Sequence, residues 1–209
     1  LTGDRRVLYA DWVRRNREYV TQKTNGEIGY MHLPDMSNWG MDEFITWYYP
    51  QVQKKGMVVD IRWNGGGFTS QLFVKRFQRA LWAAMRSRHG NVWEYPQGAL
   101  HGPFVVVLNQ SAGSDGDIFP RSIQLLGLAP IIGKRSWGGV VGIRNNKRMV
   151  DGGVLTEPEA AFWDYEQGWE VENHGVDPDI EVENLPQELA AGVDAQLDRA
   201  IEEVQRLRR

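Results

Sequence analysis

Cysteine is absent from this chain of 209 residues. That excludes disulfides, thiolate catalysis and any zinc site built on sulfur, and it leaves the compartment open. No apolar run is long enough to span a bilayer, and nothing at the start reads as a signal peptide. Neither sign of charge dominates. With 24 Lys and Arg against 27 Asp and Glu, the net charge of −3 gives no electrostatic case for nucleic acid or a membrane surface. Histidine, the commonest general base, occurs only 4 times. Repeats, low-complexity tracts and an internal boundary are also missing, so residues 1–209 read as a single domain or one part of a larger protein. The first residue is Leu1, not Met, which suits excision from a longer chain.

Glycine is plentiful, and two glycine-rich stretches stand at informative places. Phe104-Val105-Val106-Val107-Leu108 is an apolar β-branched run and reads as a buried strand. Asn109 to Asp117 follows, with Ser114 between Gly113 and Asp115-Gly116, and then Ile118-Phe119 and Ser122 to Leu126 at helical spacing. At such a strand-to-helix turn, main-chain N–H groups are unpaired and the helix dipole favours negative charge. A serine nucleophile and its oxyanion site suit that place. Ser114 followed by Asp117 equally fits a helix-capping box, and the two roles are compatible. Ser111 lies further from the helix start and has the weaker claim.

The second stretch is Trp63-Asn64-Gly65-Gly66-Gly67-Phe68, after a strand over Gly56–Arg62. Gln71-Leu72-Phe73, Phe77 and Leu81-Trp82 then recur at helical spacing. Three glycines permit positive φ and let N–H groups converge on an anion. No Gly-Lys-Ser/Thr follows and the G-x-G-x-x-G spacing is absent, which disfavours a phosphate loop. If the two strands are parallel neighbours, both turns open on the same edge of the sheet, one with a nucleophile and the other with an oxyanion donor.

Elsewhere the pattern predicts helices over Tyr9–Gln22, Met41–Tyr49 and Ala195–Leu207, strands over Gly26–Leu33 and Pro130–Gly133, and a hairpin from Met149 to Leu155 around Asp151-Gly152-Gly153. Strands alternating with helices argue for an α/β fold with a largely parallel central sheet flanked by helices. Trp39, Trp47-Tyr48-Tyr49 and Trp163 read as core or interface aromatics. The Trp137–Gly142 stretch has glycines for a tight turn, or an edge that pairs with a peptide backbone.

Five segments together carry a resemblance: Gly29–Pro34, Val59–Phe68, Ala112–Phe119, Trp137–Gly142 and Val171–Asp179. In this order they resemble the C-terminal catalytic domain of the tricorn proteases, serine peptidases related to the C-terminal processing peptidases, over nearly the whole chain. The resemblance implies a ClpP/crotonase-like architecture and acyl transfer that needs no metal or organic cofactor. It implies Ser114 as nucleophile, the amides of Gly67 and Asp115 as oxyanion hole, and Glu172 as the acid of a Ser-His-Ser-Glu tetrad, acting through the second serine. Asp115 then serves through its backbone, and Asp117 is expected to cap the helix.

The same resemblance puts the catalytic histidine and second serine in an upstream segment, before a PDZ-like domain. His32, His89, His101 and His174 are therefore not expected to be the base, and the isolated chain is expected to be nearly inert. Gly66, Met85, Gly139 and Val140 are candidate substrate-binding positions. Relatives carry a specificity acid near Met85, reaching a neighbouring subunit's site; Ala83–Ser87 has none, so an apolar or broad preference is expected. The resemblance further implies a cytoplasmic homo-oligomer with upstream β-propeller domains that acts on oligopeptides. A crotonase-type acyl-CoA enzyme and a non-catalytic assembly domain are the alternative readings.

Overall fold

The computed structural model describes residues 2–143 and 146–208. The chain opens with α1 (Thr2–Lys23), which stops where Asn25 and Gly26 turn left-handed at φ 50 and 77. Next come β1 (Ile28–His32), α2 (Asn38–Tyr48), β2 (Gly56–Asp60) and α3 (Ser70–Phe77). A hairpin of β3 (Ala83–Arg86) and β4 (Val92–Tyr95) precedes β5 (Phe104–Leu108), α4 (Asp115–Leu125) and β6 (Ile131–Gly133). A second hairpin, β7 (Asn146–Arg148) with β8 (Val154–Thr156), leads to β9 (Ile180–Glu181), α5 (Pro186–Ala190) and α6 (Ala195–Leu207).

The central sheet has the order β1-β2-β5-β6-β9, and all its pairs are parallel. Both of its faces are covered, which explains why its strands are unbroken apolar runs and not alternating ones. Met57, Val59, Val106 and Leu108 point to one side and pack with Phe44 and Tyr48 of α2, Phe73 and Phe77 of α3, and Phe119 and Ile123 of α4. Val58, Val105, Val107 and Ile132 point to the other, against Val13 and Val20 of α1 and Leu197, Ala200, Ile201 and Val204 of α6. The α/β class and the largely parallel sheet match the sequence reading.

Two expectations change. The helix after the triple glycine ends at Phe77, so Leu81-Trp82 are not helical. Trp82 instead packs edge-on against Tyr95, 4.9 Å between ring centres, at the open end of the β3–β4 hairpin. Cross-strand pairing has overridden the helical period there. The hairpin expected over Met149–Leu155 exists, but its strands are Asn146–Arg148 and Val154–Thr156. Of the aromatics read as core or interface, Tyr48 is fully buried, and Trp39 and Trp163 are about half exposed.

Behind the sheet's edge lies a buried ion cluster. Arg62 donates to both Asp60 oxygens (3.0 and 2.7 Å) and to both oxygens of Asp194 (2.9 and 2.8 Å), and Tyr30 donates to Asp60 at 2.9 Å. Asp194 also accepts from Leu197, capping α6. The cluster therefore ties the end of β2 to the closing helix. Burial opposes ionisation of Asp60, yet the Arg62 guanidinium holds its carboxyl below the usual range.

Candidate active site

Register sets the site. Asp60 at the end of β2 lies level with Val107 of β5, so the chains leaving both strands emerge side by side on one edge. Such a crevice beyond the carboxyl ends of parallel strands is where open α/β sheets place their ligands.

The two turns are bolted together. Gly113 donates to the Asn64 carbonyl at 3.1 Å, and Trp63 donates to the Asn109 side chain at 2.9 Å. Asn64 is fully buried; its Oδ1 accepts from Gly66 (2.9 Å) and its amide donates to Leu33 (2.8 Å). The approach is close enough to forbid side chains. A Cβ on Gly66, whose φ is +81, would sit 2.5 Å from the Ser114 Cβ and 3.0 Å from its Oγ. A Cβ on Gly67, at φ +151, would overlap the Met36 carbonyl. Glycine is dictated at both places by conformation and by space.

Ser114 itself has φ 58 and ψ −123. For a non-glycine residue that backbone costs about 1–3 kcal/mol and persists only when its surroundings impose it. Ser114 occupies the N-cap position of α4, but its hydroxyl makes no capping bond. Among the described residues the Oγ has no hydrogen-bond partner, and neither do the Gly67 and Asp115 amides. Three polar groups without a partner among the described residues thus lie at one corner. At its other end the capping box is half-formed, with the Ser114 amide facing the Asp117 carboxylate but Oδ2 without a well-formed bond. Asp117, fully buried in the first turn of α4, accepts from Gly138 at 2.9 Å and so fixes the Trp137–Gly142 loop. Burial raises its carboxyl above the usual range, partly offset by the Ser136 hydroxyl and by the Gly138, Gly139 and Ser114 amides.

Glu172 reaches the same loop from the other side, accepting from Val140 (2.7 Å) and Val141 (3.0 Å) through one oxygen. Gly138 and Gly142 donate within the chain as well, the latter to Ala160 at 2.7 Å. The amides of this stretch are mostly turned inward, which removes most donors of the edge expected to pair with a peptide. Gly139 lies under the Trp137 ring, and that ring also abuts Gly113 beside Ser114. Met85 stands on the separate β3–β4 sheet, half exposed and opposite Trp93.

All four histidines are accounted for elsewhere. His32 is buried between the Tyr9 hydroxyl (2.9 Å) and the Arg62 carbonyl (2.8 Å), and burial lowers its pKa. His101 contacts Glu94 and His174 contacts Asp177, each at 2.8 Å, and His89 is exposed. None of the four hydrogen-bonds Ser114. Among the described residues no group of three or more His, Cys, Asp or Glu is placed to hold a metal ion, and no helix is long and apolar enough to cross a membrane.

Comparison with known proteins agrees with this layout. The profile of peptidase family S41 matches residues 27–182, which hold both glycine turns and Glu172. The chain belongs to peptidase family S41. The tricorn protease of Thermoplasma volcanium is 45% identical over 204 residues, 98% of this chain and 20% of that protein. Tricorn protease homolog 1 of Streptomyces coelicolor is 46% identical over 201 residues, 96% of this chain and 19% of the homolog. The crystal structure of the tricorn protease superposes with a TM-score of 0.94 at 44% identity, covering 99% of this chain and 20% of that one. The photosystem II D1 C-terminal processing protease, at 22% identity and a TM-score of 0.53, shares the fold. The chain spans about a fifth of the length of the curated relatives it matches.

Within this S41 domain, sequence reasoning passed over several residues that build the corner. Asn64 and Asn109 were visible only as members of glycine-rich motifs. Asp115 was assigned a backbone role alone, yet both its carboxylate oxygens are engaged by Ser70. Arg121 and Asp164, paired at 2.8 Å and both buried, pin the 164–168 turn to α4 a few residues before Glu172. No periodicity signals a pairing over 43 residues.

Proposed function

We propose that this chain is the nucleophile-bearing domain of a tricorn-type serine endopeptidase. The observation that carries the reading is the Ser114 corner: a strained serine with an unpaired hydroxyl beside two unpaired amides. In this reading a histidine takes the Ser114 proton as the oxygen attacks a peptide carbonyl. The Gly67 and Asp115 amides receive the oxyanion, the amine leaves with the proton, and water hydrolyses the acyl-enzyme. Glu172 is the acidic member of the tetrad, acting through a second serine. That serine and the histidine come from a part of the protein outside this chain; in support, His32, His101 and His174 are engaged elsewhere and none of the four histidines hydrogen-bonds Ser114.

The architecture is read as ClpP/crotonase-like. Substrates are oligopeptides, and the working assembly is a cytoplasmic homo-oligomer with PDZ-like and β-propeller domains. With Met85 where relatives carry an acid, the preferred side chains are apolar or broad, not basic. Gly66, Gly139 and Val140 line the approach to Ser114.

The test uses the full-length protein. A fluorophosphonate probe should label Ser114, and Ser114→Ala should abolish both labelling and peptide hydrolysis. Hydrolysis that survives the substitution would favour an assembly role for this domain. Absent labelling together with turnover of an acyl-CoA thioester would favour crotonase-type chemistry.

A further inference from the structure

We infer that the Asp115 carboxylate is a positioning residue that sets the spacing of the two amides beside Ser114, a role resting on the reading of Ser114 as nucleophile. Asp115 is the first residue of α4 and is buried, 5% exposed. Its Oδ2 accepts the Ser70 N–H at 3.0 Å, and its Oδ1 accepts the Ser70 hydroxyl. Ser70 is the first residue of α3, three positions beyond Gly67. One side chain therefore joins the residue that supplies one oxyanion amide to the segment that supplies the other.

Local chemistry explains why the link is made across 45 residues. Thr69 holds the N-cap position of α3, but its side chain makes no capping bond and its buried hydroxyl oxygen is unpartnered. The orphan amide of the first turn needs an acceptor, and Asp115 supplies it. The side chain thus stands between the first turns of α3 and α4. The neutral amide of an Asn at this position presents one acceptor where two are used. The Ser70 hydroxyl must then reverse its role and accept from the Asn amide, so a charge-assisted bond becomes a weaker neutral one and α3 with the Gly66-Gly67 turn is held less firmly to α4. Misplacement of about 1 Å costs oriented catalysis on the order of 10²-fold.

A purely structural role predicts something different, because loosening the fold weakens all ligands alike. The experiment compares wild type, Asp115→Asn and Ser70→Ala in the full-length protein. It measures kcat and KM on a peptide substrate, and the affinity of a peptide aldehyde against the matching peptide alcohol. The aldehyde forms a hemiacetal whose oxygen needs both amides; the alcohol does not. For Asp115→Asn the expected result is a fall in kcat of roughly 10- to 100-fold with KM changed less than about threefold. Aldehyde affinity should fall with kcat while alcohol affinity holds. Ser70→Ala should show the same pattern more weakly. Equal losses for aldehyde and alcohol, or unchanged kcat in Asp115→Asn, would overturn the inference. If Asp115→Asn does not fold, Ser70→Ala decides alone, and an unchanged aldehyde-to-alcohol ratio overturns it. Should Ser114→Ala retain activity, the nucleophile reading itself fails; a Ser114-dependent enzyme indifferent to Asp115 defeats only the clamp.

Discussion

The two sides of Ser114 are built to different standards. Toward β2 and α3, buried side chains hold the backbone: Asn64, Asn109 and Asp115 knit the two turns, and the Gly67 and Asp115 amides beside Ser114 have no partner among the described residues. Toward the opposite side the hydroxyl meets no acceptor, and the acid, Glu172, spends one oxygen holding Val140 and Val141. In the proposed reading, the half of the chemistry that stabilises negative charge is held by buried side chains of this fold. The half that moves a proton is not. Electrostatic preorganisation works only when donors are fixed before charge develops, so this half gains most from one rigid core. Proton transfer asks for a single group within hydrogen-bond reach, which a neighbouring segment can deliver.

The contrast is broken most severely from beneath. Arg62 is buried and serves as the counter-charge for Asp60 and a partner for Asp194. Arg62→Met leaves a fully buried carboxylate without its cation, which typically costs about 3–5 kcal/mol. Urea unfolding of this domain should show that loss, and a change under about 1 kcal/mol would mean that the cluster does not anchor the end of β2.

Gly66→Ala attacks the rigid side at its closest contact. The added methyl would press on Ser114 at 2.5 Å, in a backbone conformation that alanine resists. Turnover in the full-length enzyme should fall roughly 10²–10³-fold, the loss expected when an oxyanion donor is displaced. Normal kcat would show that the corner is not where charge develops.

Glu172→Gln probes the other side and should do less. Its amide oxygen still accepts from Val140 and Val141, so the loop stays in place while the charge disappears. A fall in kcat of about tenfold, with melting unchanged, is expected; Glu172→Ala should lose more because the two amides are then unpaired. An unchanged kcat in Glu172→Gln beside a loss in Glu172→Ala would assign Glu172 to loop support alone.

How far each side was legible follows from the range of its interactions. The glycine turns, the strands before them and Ser114 declare themselves locally, in runs under ten residues, because conformation and burial act on neighbours in sequence. The side-chain ties do not. Asp115 to Ser70, Asp117 to Gly138 and Arg121 to Asp164 join elements 21 to 45 residues apart, and any of these acids reads equally well as a surface carboxylate or a cap. Asp117 in particular has capping-box spacing, yet tertiary burial gives it another amide. The Leu81-Trp82 pair misleads for a related reason: a helical period of two members is no match for a strand partner. The role of Glu172 came only from resemblance, since a lone loop carboxylate carries no spacing signal.

Asp164 and Asp117 allow a finer test, because the two acids should bend the stability curve in opposite directions. The hydrogen bond from Arg121 lowers Asp164 from the usual 3.8 to about 2. A depressed folded value means that its contribution is present above pH 4 or so and fades as pH falls toward 2. Burial raises Asp117, so its ionisation penalises the fold, and that penalty appears as pH climbs through the ordinary carboxylate range. Thermal melts from pH 2 to 8 should therefore show Asp164→Asn losing stability at neutral pH and converging on wild type near pH 2. Asp117→Asn should match wild type in acid and equal or exceed it at neutral pH, because its amide oxygen can still hold Gly138 without a buried charge. If Asp117→Asn is instead the less stable of the two at pH 7, its carboxylate is a favourable anchor for the acid-side loop. That side would then be as firmly built as the oxyanion side, and the contrast drawn around Ser114 would narrow to the missing base alone.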